Sequence, residues 1–279
     1  MRNGFDAKFE ITNIIDDIRH YFAVNGNKDT KAVIGISGGK DSTIAAALLV
    51  KALGKERVVG VIMPNGEQSD INDSYEVCSI LGIPHYAMNI GFTCSDLFDD
   101  FESHTGLALN DQIRTNAPAR LRMNVLYMVA SAVGGRVINT GNKSEFFVGY
   151  TTKYGDLAGD YAVLRDYYVT EIYKIGDALL WEDGTRMLPQ NLIHKTPADG
   201  MSGKTDEENM GFTYERLDDY LMNGIVPPAD MLKNILDRHN RNRHKEVIHL
   251  PHPTCRTRPY LSGTARQKYA NDEDCAFSF

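Results

Sequence analysis

The sequence predicts an α/β fold, an open parallel sheet with helices on both faces. Two observations carry that prediction. Short β-branched runs bounded by turns alternate with longer stretches of helical spacing. The short runs read as buried strands, and a strand–helix–strand order makes neighbouring strands parallel.

The elements follow in order. Phe9, Ile11, Ile14, Ile15, Ile18 and Phe22 have helical spacing, broken by Asn25-Gly26-Asn27. Residues 31–37 (KAVIGIS) form a strand, and residues 43–53 a helix ended by Gly54. Residues 58–63 form a second strand, stopped by Pro64-Asn65-Gly66. Residues 69–81 form a helix capped by Ser69 or Asp70 and ended by Gly82. A third strand follows at 85–90. Residues 116–133 form a long helix with Pro118 in its first turn, ended by Gly134-Gly135, and a fourth strand covers 136–140. A helix runs from about 170 to 181. Residues 194–209 are polar and turn-rich, as a mobile loop is. Helices are expected at 212–220 and 228–242. The stretch 249–279, with Pro251, Pro253 and Pro259, reads as irregular. No internal repeat or low-complexity linker divides the chain, so residues 1–279 are read as one domain.

Composition narrows the function classes. The net charge of -7 is spread along the chain, which speaks against a nucleic-acid or membrane-surface protein. No stretch is long and apolar enough for a signal peptide or a membrane span. Four scattered cysteines suggest neither a disulfide framework nor a zinc site, and a cytoplasmic location is expected.

Residues 35–42, GISGGKDS, lie between a strand and a helix. In an open α/β sheet, ligands sit beyond the carboxyl ends of the strands, where a helix N-terminus offers unpaired N–H groups to an anion. Gly38 and Gly39 let the backbone approach phosphate oxygens, and Ser37 and Ser42 add hydroxyls. Asp41 would repel phosphate unless it holds a Mg²⁺ shared with it. A plain Gly-Gly turn before a helix capped by Asp41 or Ser42 is the competing reading. Residues 139–160, NTGNKSEFFVGYTTKYGDLAGD, also follow a strand. There Glu145 could reach the same metal as Asp41, and Thr140 the nucleotide. Lys153, Asp156 and Asp160 suit a substrate carrying phosphate and ribose. A solvated polar loop is the competing reading.

The first stretch resembles the SGGxDS loop of the N-type ATP pyrophosphatases, which cleave ATP to AMP and pyrophosphate while adenylating a substrate. The second resembles the TGN-SE…GY-TKYGD…D signature of the NAD synthetase family. Asn116-Ala-Pro-Ala-Arg120-Leu-Arg-Met123 resembles that family's N-x-x-ARxRM helix start. Pro64-Asn-Gly-Glu-Gln68 is similar to its PxGxQ turn. TDEE at 205–208, LDDY at 217–220 and His244-Lys245 resemble its later motifs. The resemblance covers roughly residues 8–250, in order. It implies a Rossmann-like fold of the adenine-nucleotide α-hydrolase type. It also implies amidation of deamido-NAD by ammonia, with ATP as co-substrate, through an acyl-adenylate.

Carried over residue by residue, the resemblance puts ATP on Gly35, Ile36, Ser37, Gly38, Gly39, Lys40, Asp41 and Ser42, with Gln68 and Thr140 at the adenosine. Mg²⁺ falls to Asp41 and Glu145. Deamido-NAD falls to Arg120, Lys153, Asp160, His244 and Lys245, and ammonia arrives beside Asp156. The resemblance further implies a homodimer with the dinucleotide at the interface, for which residues 121–133 are a candidate element. The ATP loop begins at Gly35, which leaves no room ahead of it for an amidohydrolase domain, so free ammonia or ammonia from a separate partner is expected. Three positions depart from the pattern. Val169 stands where a lysine is common, with Arg165 a candidate replacement. Ala198 stands for a hydroxyl residue, and Ile62 for an arginine. Lys195 and Lys204 are candidate loop substitutes. The basic run 238–245 reads equally as a solvated helix face or as an attractor of an anionic dinucleotide. A tRNA-modifying ligase would call for a basic RNA-binding surface, which the charge disfavours. A non-catalytic nucleotide sensor is disfavoured by the presence of Asp41, Glu145 and Asp156 together.

Overall fold

A computed structural model describes residues 4–196 and 205–245. Five parallel strands form one sheet: β1 (Lys31–Gly35), β2 (Val58–Ile62), β3 (His85–Ala87), β4 (Gly135–Asn139) and β5 (Tyr161–Ala162), in the order β3-β2-β1-β4-β5. The order reverses at β1, so β1 and β4 are neighbours and the crevice of the sheet opens between their carboxyl ends.

Alternation along β1 sends its side chains to two cores. Ala32 and Ile34 join the larger cluster, with α1 (Ala7–Val24), α2 (Lys40–Leu53), α3 (Ile71–Leu81), α7 (Val169–Ala178) and α8 (Gln190–Ile193). Val33 joins Val59, Val61 and Val137 on the other face, covered by α5 (Asp111–Val133). A third cluster, built around Phe147, Tyr168, Leu217 and Ile235, gathers the short α6 (Lys143–Val148), α9 (Asp206–Met210), α10 (Tyr214–Asn223) and α11 (Ala229–Asn242). The expected layers are thus present, helices covering both faces.

Several boundaries differ from the sequence reading. The long helix starts at Asp111, because the Asn110 side chain accepts from the Ile113 N–H at 2.9 Å. Pro118 is therefore inside the helix and not in its first turn. An unexpected helix, α4 (Gly91–Thr105), buries only Cys94 and so lacks an apolar stripe. The third strand shrinks to three exposed residues at the sheet edge. The segment 194–209 is not all loop: α9 begins at Asp206, where Thr205 and Glu208 form a capping box. Neither Asp41 nor Ser42 caps α2; its N-cap is Gly39, with no side-chain capping bond. The irregular stretch 249–279, Ala198 and Lys204 lie outside the described residues.

Candidate active site

The loop after β1 is held by its own serines. Ser42 Oγ accepts from the Ser37 N–H at 3.2 Å and lies 3.1 Å from the Gly39 carbonyl. The two hydroxyls are 3.0 Å apart, and Ser37 Oγ accepts from the Gly39 N–H. These hydroxyls, expected as phosphate donors, also shape the turn. Gly38 has φ +76, and a Cβ there would stand 2.8 Å from the Asp73 Cβ, so both backbone and packing demand glycine. Ile36 is buried in the core, and Gly35 closes β1, which leaves backbone atoms as what these two present. With no side chain capping it, the first turn of α2 keeps donors for an anion.

Asp41, in that first turn, meets Glu145 across the crevice through Asn142. Asn142 Nδ2 lies 3.4 Å from Asp41 Oδ1, while its backbone N–H and Oδ1 form a capping box with Glu145 at the start of α6. Lys40 Nζ donates to Asp41 Oδ2 at 2.8 Å. The Lys40 side chain is 3% exposed and that of Asp41 18%, so the carboxylate and not the ammonium faces the crevice. Burial, then the Asp41 charge, hold the Glu145 carboxyl well above its ordinary range, Lys40 pulling the other way. Burial opposes the Lys40 charge, but the Asp41 and Glu145 carboxylates outweigh it and hold the ammonium above its usual value.

Asp156 centres a second group. Its Oδ1 accepts from the Thr152 N–H, and Thr152 Oγ1 donates to Asn116 Oδ1. The residue is exposed at the surface, while protein atoms still crowd around its carboxyl group. The crowding outweighs the Thr152 hydrogen bond and pushes it up to about 6. Around it, Arg120 Nε donates to the Lys153 carbonyl and Lys153 Nζ to the His244 carbonyl. Lys245 Nζ donates to the carbonyls of Gly149 and Thr151. These contacts fasten the 149–156 loop to the turn that ends α11. Gly149, with φ +63, lets α11 lie against it, since a Cβ would overlap Asn242.

The remaining expected residues are placed differently. Both Asp160 oxygens are engaged within the fold, by the Val137 N–H at 2.7 Å and the Tyr127 hydroxyl at 3.4 Å. Gln68 donates to Asp70, which with Asp73 receives Lys195. Thr140 follows β4, half-buried. Val169 and Ile62 are core residues, and the Arg165 guanidinium stacks on Phe146. Sequence reasoning missed Asn142, although the Asn-x-x-Glu spacing of 142–145 is a capping-box signal. It also missed Arg122, within the quoted helix-start motif, whose Nε donates to the Met63 carbonyl at the end of β2 and whose charge acts on Asp156.

The sequence profile described as NAD synthase matches residues 10–250. The chain belongs to that family. An NH(3)-dependent NAD(+) synthetase of Pyrococcus furiosus is 37% identical over 212 residues, 76% of each chain. Among solved structures, this NAD synthase-family chain is similar to the NMN synthetase of Francisella tularensis. That match has a TM-score of 0.78 and 33% identity, over 88% of this chain and 98% of that one. An NH3-dependent NAD synthetase of Campylobacter jejuni, solved with nitrate, gives a TM-score of 0.66 and 26% identity, over 88% of this chain and 98% of that one. The family members named here are synthetases, and the expected fold and enzyme class agree with them. No described helix is long and apolar enough to cross a membrane.

Proposed function

We propose that the protein amidates deamido-NAD with ammonia at the expense of ATP, giving NAD, AMP and pyrophosphate. The observation that carries this reading is the meeting of Asp41 and Glu145 over Asn142 at the carboxyl ends of β1 and β4, with Asp156 at the same sheet edge. The phosphates rest on the N–H groups that open α2. A substrate carboxylate oxygen attacks the α-phosphorus, the bond to pyrophosphate breaks, and an acyl-adenylate forms. Ammonia then adds to the carbonyl and AMP leaves. Asp156 binds the incoming ammonium and takes its proton. Lys153, Lys245, Arg120 and His244 surround the nucleotide substrate.

The acids suit Mg²⁺: two carboxylates linked through Asn142 leave positions for water and phosphate oxygens. Asp41 and Glu145 would hold the ion, which when bound offsets charge on the triphosphate. We read the described residues as one catalytic domain, and the cytoplasm as its place. The buried free thiols of Cys78 and Cys94 agree with a reducing compartment. Two copies are proposed to pair over α4, α5 and the link between them, where Phe92, Leu97, Leu107 and Met128 are exposed, with the dinucleotide near that interface. Met128→Glu should then shift the sedimenting species from dimer to monomer, and an unchanged profile removes this face.

A second reading changes the substrate and keeps the chemistry. Likeness to the Francisella tularensis NMN synthetase favours nicotinate mononucleotide as the acid that is amidated. AMP release with ATP, Mg²⁺ and ammonium, measured with deamido-NAD, with nicotinate mononucleotide and with neither, decides. Stimulation by the dinucleotide supports the first reading, stimulation by the mononucleotide alone the second, and silence with both overturns the synthetase activity.

A further inference from the structure

Lys40 stands between the second glycine of the loop and Asp41, and its side chain is turned inward. A buried ammonium is stable only against negative charge, so its direction shows where the fold keeps that charge. Nζ is 2.8 Å from Asp41 Oδ2, and Asp41 is joined to Glu145 through Asn142. The rings of Tyr214 and Tyr173 stand 5.4 and 5.9 Å from it. These walls favour a cation and leave the ammonium, itself nearly fully buried, next to the carboxylates. The acid pair therefore already contains one full positive charge supplied by the chain.

We propose that Lys40 is the resident counter-cation of the Asp41–Glu145 pair, so that a divalent ion enters only together with a nucleoside triphosphate. This rests on the reading that the pair holds a metal. A divalent ion arriving alone meets a like charge a few ångströms away, in surroundings too dry to screen it. A triphosphate arriving with the ion brings negative oxygens that both cations share, and the repulsion is offset. Lys40 acts here through Asp41 and is a positioning residue.

Mn²⁺ is the probe, read by water-proton relaxation enhancement, with and without an α,β-methylene analogue of ATP. Without the analogue, wild type should bind Mn²⁺ roughly tenfold or more weakly than Lys40→Gln, while Lys40→Arg behaves as wild type. With the analogue, wild-type affinity should rise by roughly the same factor or more, and the advantage of Lys40→Gln should shrink. Equal affinities of wild type and Lys40→Gln for Mn²⁺ alone overturn the inference and leave the metal reading standing. Failure of every protein to bind Mn²⁺ even with the analogue overturns both. Should Lys40→Gln not fold, as thermal melts in chelator will show, wild type alone decides: an affinity indifferent to the analogue overturns the inference.

Discussion

Asp156 must be a carboxylate to accept a proton from ammonium, yet it sits where protein crowding resists its charge. An apparent value of about 6 reconciles the two, since the group is ionised at neutral pH and still basic enough to be useful. At a fixed concentration of un-ionised ammonia, the amidation rate should fall as pH drops through about 6, because the raised carboxyl then takes up its proton. Asp156→Asn should flatten that limb and slow amidation by about 10²–10⁴-fold, while pyrophosphate release in the first turnover persists. Identical pH profiles for the two proteins would remove Asp156 from proton transfer. At this scale the sequence was informative where a residue's partner is local, and silent where it is remote. Glu145 could be picked out because it follows closely on a strand, β4, and so lies at the carboxyl edge of the sheet. Asp160 reads as a substrate ligand from its place in the charged 139–160 stretch and from the family resemblance. Its partners, Val137 and Tyr127, are brought in only by the pairing of β4 with β5 and the packing of α5. Arg122 was within a quoted motif, but its acceptor is a carbonyl 59 residues away.

Among elements, the loop between β1 and α2 is the one most tightly specified. Gly38 meets two constraints, a left-handed backbone and contact with the start of α3. Gly66 has a similar φ of +78 but open space where a Cβ would be. Gly66→Ala should therefore cost about 1–2 kcal/mol, the backbone part alone. Gly38→Ala should cost about 1–3 kcal/mol more, because α3 must give way, and should also weaken binding of an ATP analogue. Denaturant titrations of the two variants separate these contributions, and equal losses would show that α3 yields freely. The buried strands and the helices packed on them were legible because burial imposes a pattern. The α4 helix was not, since only Cys94 of its residues is buried and it therefore imposes none. The polar first turns of α5 failed for the same reason, and the capping role of Asn110 was the one signal available.

For the molecule as a whole, the helices α9 to α11 must be seated against α6 and α7 for Tyr214 to reach Lys40. Asp218 anchors that seat. It is fully buried, accepts from the Ser144 hydroxyl and from the Thr170 N–H at 2.9 Å, and burial outweighs both bonds to push it up to about 7. Because the folded value lies above the unfolded one, the folded state holds the extra proton, and its stabilisation is lost as pH rises towards 7. Between pH 5 and 7.5 wild type should lose about 2–3 kcal/mol more than Asp218→Asn, whose amide does not titrate. Parallel stability curves for the two would show that Asp218 is not the group responsible.

The cationic side chains around Asp156 have a consequence that reaches outside the protein. Arg120, Arg122, Lys153 and Lys245 all donate to backbone carbonyls, which orient them without cancelling their charge. A chain of net charge -7 thus gathers four cationic side chains around one carboxylate. For an anionic substrate that cluster offsets the overall charge of the chain, so the frequency of productive encounters depends on the ionic strength of the medium as well as on the fit of the crevice.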